Sequence, residues 1–191
     1  ESGSMKIYGK MITLVTTIAV LCVAYFFYIS RREPTLDSTQ KAVTNQKLSD
    51  LITMDIDSDY PESPKEVVKL YARIATAYYK SELTDEQIEQ LGSQARKLFD
   101  SELKGTQTDS EFYKALKQDI EDYRTNKRYI SDVNIEDSAL VNYKTFQGRK
   151  YASLYATFSL RENDKLTLSK TKFMLRQDSD GRWKILYWEL A

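Results

Sequence analysis

Residues 151–160 read YASLYATFSL, and the chain continues to residue 190 as RENDKLTLSKTKFMLRQDSDGRWKILYWEL. In the first ten residues Ala152, Leu154, Ala156, Phe158 and Leu160 alternate with Tyr151, Ser153, Tyr155, Thr157 and Ser159. Period two is the mark of a strand with one buried face. Glu162-Asn163-Asp164 then supplies a turn. In the next strand Leu166 and Leu168 share one parity and Phe173 and Leu175 the other, which predicts a β-bulge near Thr171. Asp178-Ser179-Asp180-Gly181 is a hairpin turn, and Trp183 to Leu190 closes the sheet. Upstream, Tyr129–Glu136 and Leu140–Phe146 read as short strands, with Gln147-Gly148 turning the chain into the long one.

Working outward, the period changes from 2 to 3.6. Val67, Tyr71, Ile74 and Tyr78 share a face over residues 64–82, with Ser63 as N-cap, Pro64 at the first helical position and Glu66 three residues after the cap. A second helix starts after Thr84 (Gln87 completing the capping box), buries Ile88, Leu91, Ala95, Leu98 and Phe99, and stops at Gly105. A third starts after Thr108, with Glu111 in the box, and carries Phe112, Leu116, Ile120 and Tyr123. Three helices followed by a meander predict an α+β domain over 64–191. A helix layer should pack on a curved antiparallel sheet of four to five strands.

Residues 30–63 hold Pro34 and Pro61, with Pro64 directly after them, and are rich in polar side chains, so they read as a linker. Within them Asp55–Glu66 places carboxylates like a calcium loop. Tyr60 stands where the loop needs glycine and Pro61 where it needs a flexible carbonyl donor, so an acidic run into a helix start is the better reading. Residues 11–29, MITLVTTIAVLCVAYFFYI, carry no charge and would span roughly 28 Å as a helix, the thickness of a bilayer core. Lys6 and Lys10 precede them, Arg31 and Arg32 follow, and Tyr25–Tyr28 form an aromatic belt. No small-residue pair suits signal cleavage. The expectation is a transmembrane signal-anchor after a short basic segment, 5–10, with 1–4 read as a cloning remnant. It makes the chain a single-pass protein of the cell membrane, with the bilayer as partner at 11–29 and the domain outside the cytoplasm.

Composition limits the chemistry. The 191 residues include no histidine and one cysteine, and 28 basic side chains balance 28 acidic ones. Imidazole-dependent catalysis, intramolecular disulfides and Cys-rich or His-rich metal sites are excluded. Charge neutrality argues against a nucleic-acid binder, and no glycine-rich phosphate loop is present. No catalytic, cofactor-binding or metal-ligating residues are assigned, and a non-enzyme is expected.

The ending DGRWKILYWEL, with the long strand before it, resembles the nuclear transport factor 2-like (cystatin-like) cone fold. The stretches YPESPKEVVKLYARIATAYY and LTDEQIEQLGSQARKLFDSEL resemble an uncharacterised family of membrane-anchored proteins from gut clostridia. The resemblance implies a cone-shaped domain in a Gram-positive envelope and no particular activity. A cone encloses a pocket between helices and sheet, for which Tyr71, Tyr78, Tyr155, Tyr187 and Trp188 are the candidate lining. The expected function is a tethered binding or assembly module that acts through a protein partner or self-association. The alternatives are a small-ligand carrier or sensor with an aromatic pocket, and a Tyr/Asp-based isomerase or hydrolase.

Overall fold

The computed structural model describes residues 47–80 and 82–191. Helix α1 covers 47–53. It is followed by α2 (Pro64–Lys80), α3 (Asp85–Lys97), α4 (Ser101–Gly105) and α5 (Asp109–Thr125). The strands are β1 (Arg128–Ile135), β2 (Asn142–Phe146), β3 (Arg149–Glu162), β4 (Lys165–Gln177) and β5 (Trp183–Leu190). All pair antiparallel in the order β1-β3-β4-β5, and β2 pairs the other end of β3.

The expected fold class holds as α+β but is corrected in two respects. Among the described residues no helix is long and apolar enough to cross a membrane. The longest, α2 and α5, have 17 residues each and are charged on one face, so they pack on the sheet. The segment 11–29, on which the transmembrane expectation rests, lies outside the described residues, as do 1–10 and 30–46. The described helices also number five, not three. The apolar patch at residues 48–52, which reads in the sequence as a helical turn or a docking segment within the linker, lies in α1, with Leu48 and Leu51 in the core and Ile56 fully buried just beyond. The expected second helix breaks in two because Leu98–Asp100 leaves it to meet the edge of β5. Ile185 N–H donates to Leu98 O at 2.8 Å and Asp100 N–H to Ile185 O at 2.8 Å. Asp100 then caps α4 by accepting from Glu102 N–H at 2.9 Å.

The capping boxes at Thr84/Gln87 and Thr108/Glu111 are both formed. α3 and α5 approach closely at Gly92, where a methyl group would lie 2.7 Å from Tyr113 Cε1. The helices cover one sheet face, where Leu154, Ala156, Phe173, Leu175 and Ile185 are buried together. Each large side chain removed from water there contributes about 1.5–3 kcal/mol.

The bulge expected near Thr171 is absent, because β3 and β4 pair without interruption from Tyr151↔Arg176 to Glu162↔Lys165. Leu166 and Leu168 face away from the helices and are exposed. The irregularities lie instead in β1, between Ile130 and Asp132, and in β5. Met174 pairs Tyr187 while Leu175 pairs Ile185, so Leu186 is the extra residue. This bulge brings Trp188 onto the helix-covered face with Ile185, opposite Phe173, and sends Tyr187 to the outer face.

Candidate functional site

Between α2, α3, α5 and β5 the packing leaves a cavity of about 380 Å³. Helix periodicity builds two of its walls. Tyr71, Ala75, Tyr78 and Tyr79 form one stripe of α2, at steps of four, three and one. Phe112, Ala115, Leu116 and Asp119 form the facing stripe of α5, at steps of three, one and three. Phe99, Leu103 and the Thr106-Gln107 turn close a third side, Arg96 comes from α3, and Trp188 comes from β5.

The rings pack against one another at the spacing of edge and tilted pairs. Tyr71 lies 5.4 Å from Trp188, 5.9 Å from Phe99 and 5.8 Å from Phe173, centroid to centroid. Phe99 reaches Phe112 at 6.1 Å. At the rim the Tyr79 hydroxyl donates to Asp119, and the Tyr79 ring stacks on Tyr123 at 3.9 Å. The Tyr78 hydroxyl is buried with no hydrogen-bond partner. Arg96 is matched already: its guanidinium pairs Asp109 at 2.8 Å and lies 4.9 Å from the Phe112 ring centre.

Electrostatics keep the phenols protonated. Burial raises the Tyr79 phenol, and the bond to Asp119 raises it further. Burial likewise raises Tyr71, with the Asp119 charge adding to it, and raises Tyr78, with Tyr71 and Tyr113 adding. At neutral pH all three are hydroxyl donors, not phenolates. The cavity therefore offers a large apolar contact area and one carboxylate, while the Tyr78 hydroxyl is buried out of contact with the open space. Asp119 lies in this cavity beside Tyr79, so a carboxylate and a phenol meet here, as the isomerase alternative requires. Among the described residues no three acidic or sulfur side chains converge as metal ligands.

Of the five candidate residues, the fold brings Tyr71, Tyr78 and Trp188 together in this cavity. Tyr155 and Tyr187 lie on the outer sheet face, in a trough of about 630 Å³ with Phe146, Tyr151, Lys172 and Met174. Tyr155 has the parity opposite to the buried Leu154 and Ala156, and the Lys170 ammonium sits 4.3 Å from its ring centre. Lys170 and Lys172 belong to an interior strand, and Lys172 pairs Glu189 across it at 3.8 Å. Sequence reasoning missed Tyr79, Phe99, Phe112 and Asp119 as site residues. The signal for Asp119 was present, since it continues the apolar stripe of α5 seven residues after Phe112.

A protein family described as Domain of unknown function (DUF6715) matches residues 2–188 of the chain. No curated protein matches it.

Proposed function

We propose, from the premise that this chain belongs to the DUF6715 family, that its domain binds a small, largely apolar ligand in the cavity between α2, α5 and β5. The observation that carries the reading is the unfilled space of about 380 Å³ lined by aromatic rings, one of them on Tyr78, whose own hydroxyl is buried without a partner. Natural cores are close-packed, and a buried polar atom without a partner is uncommon. Concave apolar sites with a few convergent polar groups are where small molecules bind. The α+β order, helices first and a curved meander after, supports the finer proposal that the domain is of the nuclear transport factor 2-like kind.

The test is a thermal-shift screen of small aromatic and alicyclic compounds against the chain and its Ala115→Trp variant. Ala115 is exposed at the cavity rim, so an indole there closes the space without entering the core. Stabilising compounds that lose their effect on A115W support the site. Compounds that act equally on both proteins place binding elsewhere and end the proposal.

A second reading is favoured by the outer sheet face. Leu140 is 64% exposed, Phe146 63% and Tyr187 43%, and all three border one trough of that face. Contiguous exposed apolar side chains of this size mark protein contacts. Light scattering of the chain beside its Leu140→Asp, Phe146→Asp double variant tests for self-association through that face; identical masses at all concentrations would remove it.

A further inference from the structure

We infer that the ligand of the helix-bounded cavity is an organic cation, an inference that rests on the cavity being a ligand site. Six aromatic side chains line it: Tyr71, Tyr78, Tyr79, Phe99, Phe112 and Trp188. Aromatic rings attract cations through their quadrupoles, most strongly where water is excluded, and cages of such rings recognise alkylated ammonium groups.

The charges of the walls point the same way. Two ionised side chains reach the cavity, Arg96 and Asp119. Arg96 is neutralised by Asp109 and covered by the Phe112 ring. Asp119 accepts from the neutral Tyr79 hydroxyl, and among the described residues no cation pairs with it. The cavity therefore holds one uncompensated negative charge at its rim. An anionic ligand is repelled by it and a neutral one gains nothing from it. An alkylammonium uses the rings and the carboxylate together.

Choline is the probe, and 3,3-dimethylbutan-1-ol is its neutral counterpart, with carbon in place of the charged nitrogen. Amide NMR titrations of the full chain follow residues 71–79, 112–119 and 188. Choline is expected to shift these signals saturably and to bind about tenfold more tightly than the alcohol. In Asp119→Asn, which keeps an acceptor for Tyr79, choline affinity should fall about tenfold and that of the alcohol should stay unchanged. Circular dichroism confirms that D119N is folded, as expected for an exposed position. Equal binding of the two probes overturns the cation inference and leaves the ligand site standing. So does choline binding that ignores D119N. If choline produces no shift, the inference also fails, while the ligand-site reading stands or falls on the A115W comparison.

Discussion

β5 lies in two environments, divided by the bulge at Leu186. Around Trp183, Lys184 and Ile185 nearly every polar group is matched. Ile185 exchanges backbone hydrogen bonds with Leu98 and Asp100. The Tyr60 hydroxyl donates to Trp183 O at 2.8 Å, and the Lys184 ammonium to Lys97 O at 2.7 Å. Arg176, on the neighbouring strand, donates to both oxygens of buried Asp100 and reaches Glu102 at 3.0 Å. Past the bulge, Tyr187 to Leu190 are exposed, and Trp188 borders open space beside an unpartnered phenol. The same strand thus closes the domain at one end and opens it at the other. Stability is concentrated in the matched seam, and the open end is free to carry binding.

The sharpest way to break this contrast is Asp100→Ala. Arg176 and Asp100 are both nearly buried, so the variant leaves a guanidinium stranded and also removes the α4 cap. The expected loss is about 3–5 kcal/mol in urea unfolding. A loss under about 1 kcal/mol, as for an exposed pair, would refute the seam's role.

The pH dependence follows from the same pair. Burial pushes the Asp100 carboxyl up, but hydrogen bonds from Arg176 and from the Glu102 amide outweigh it, and the net shift is downward. A carboxyl lowered in the folded state contributes fully above its unfolded value, near pH 4, and that contribution is lost as pH falls through the folded value. Stability of the chain should therefore drop with acid below about pH 4. Asp100→Asn, which has no charge to lose, should show a shallower acid slope. Equal slopes would mean that other carboxylates dominate.

Gln94→Ala tests how far the seam extends toward the N-terminal side. The Gln94 amide nitrogen donates to Ile52 O at 2.9 Å and Met54 O at 2.7 Å, holding the end of α1. Losing these buried bonds should cost about 1–3 kcal/mol and speed amide exchange over residues 47–56. Unchanged exchange there would show that Leu48, Leu51 and Ile56 hold the segment by packing alone.

How much of this was legible in the sequence follows the same division. The strands, the turns and both capping boxes are local patterns, and they stand close to where alternation and cap residues put them. The break at Leu98–Asp100 was not legible, because helical periodicity runs on through Phe99 to Leu103. Only Arg176, 76 residues away, and the free edge of β5 draw that segment out of the helix. The phase change in β4 was read as a bulge, when Leu166 and Leu168 simply face outward. The bulge at Leu186 does leave a local sign that went unread, since Trp183 and Ile185 share one parity and Trp188 and Leu190 the other. That bulge decided the site. Neighbours on a strand point to opposite faces, so Tyr187 and Trp188 could not both line one cavity, and which one did depended on a register set by β4.

The smallest expected effect separates the two ends most directly. Tyr60→Phe, at the matched seam, removes a donor from the Trp183 carbonyl and should cost about 1 kcal/mol. Tyr78→Phe removes the same atom from a side chain that is more deeply buried, and burial alone would predict the larger loss. The Tyr78 hydroxyl has no partner, however, so its removal relieves an unsatisfied buried group. Y78F should therefore leave stability unchanged or raise it by up to about 1 kcal/mol. If Y78F is less stable than Y60F, the Tyr78 hydroxyl is holding the fold together, and the open end of β5 is a structural seam like the other.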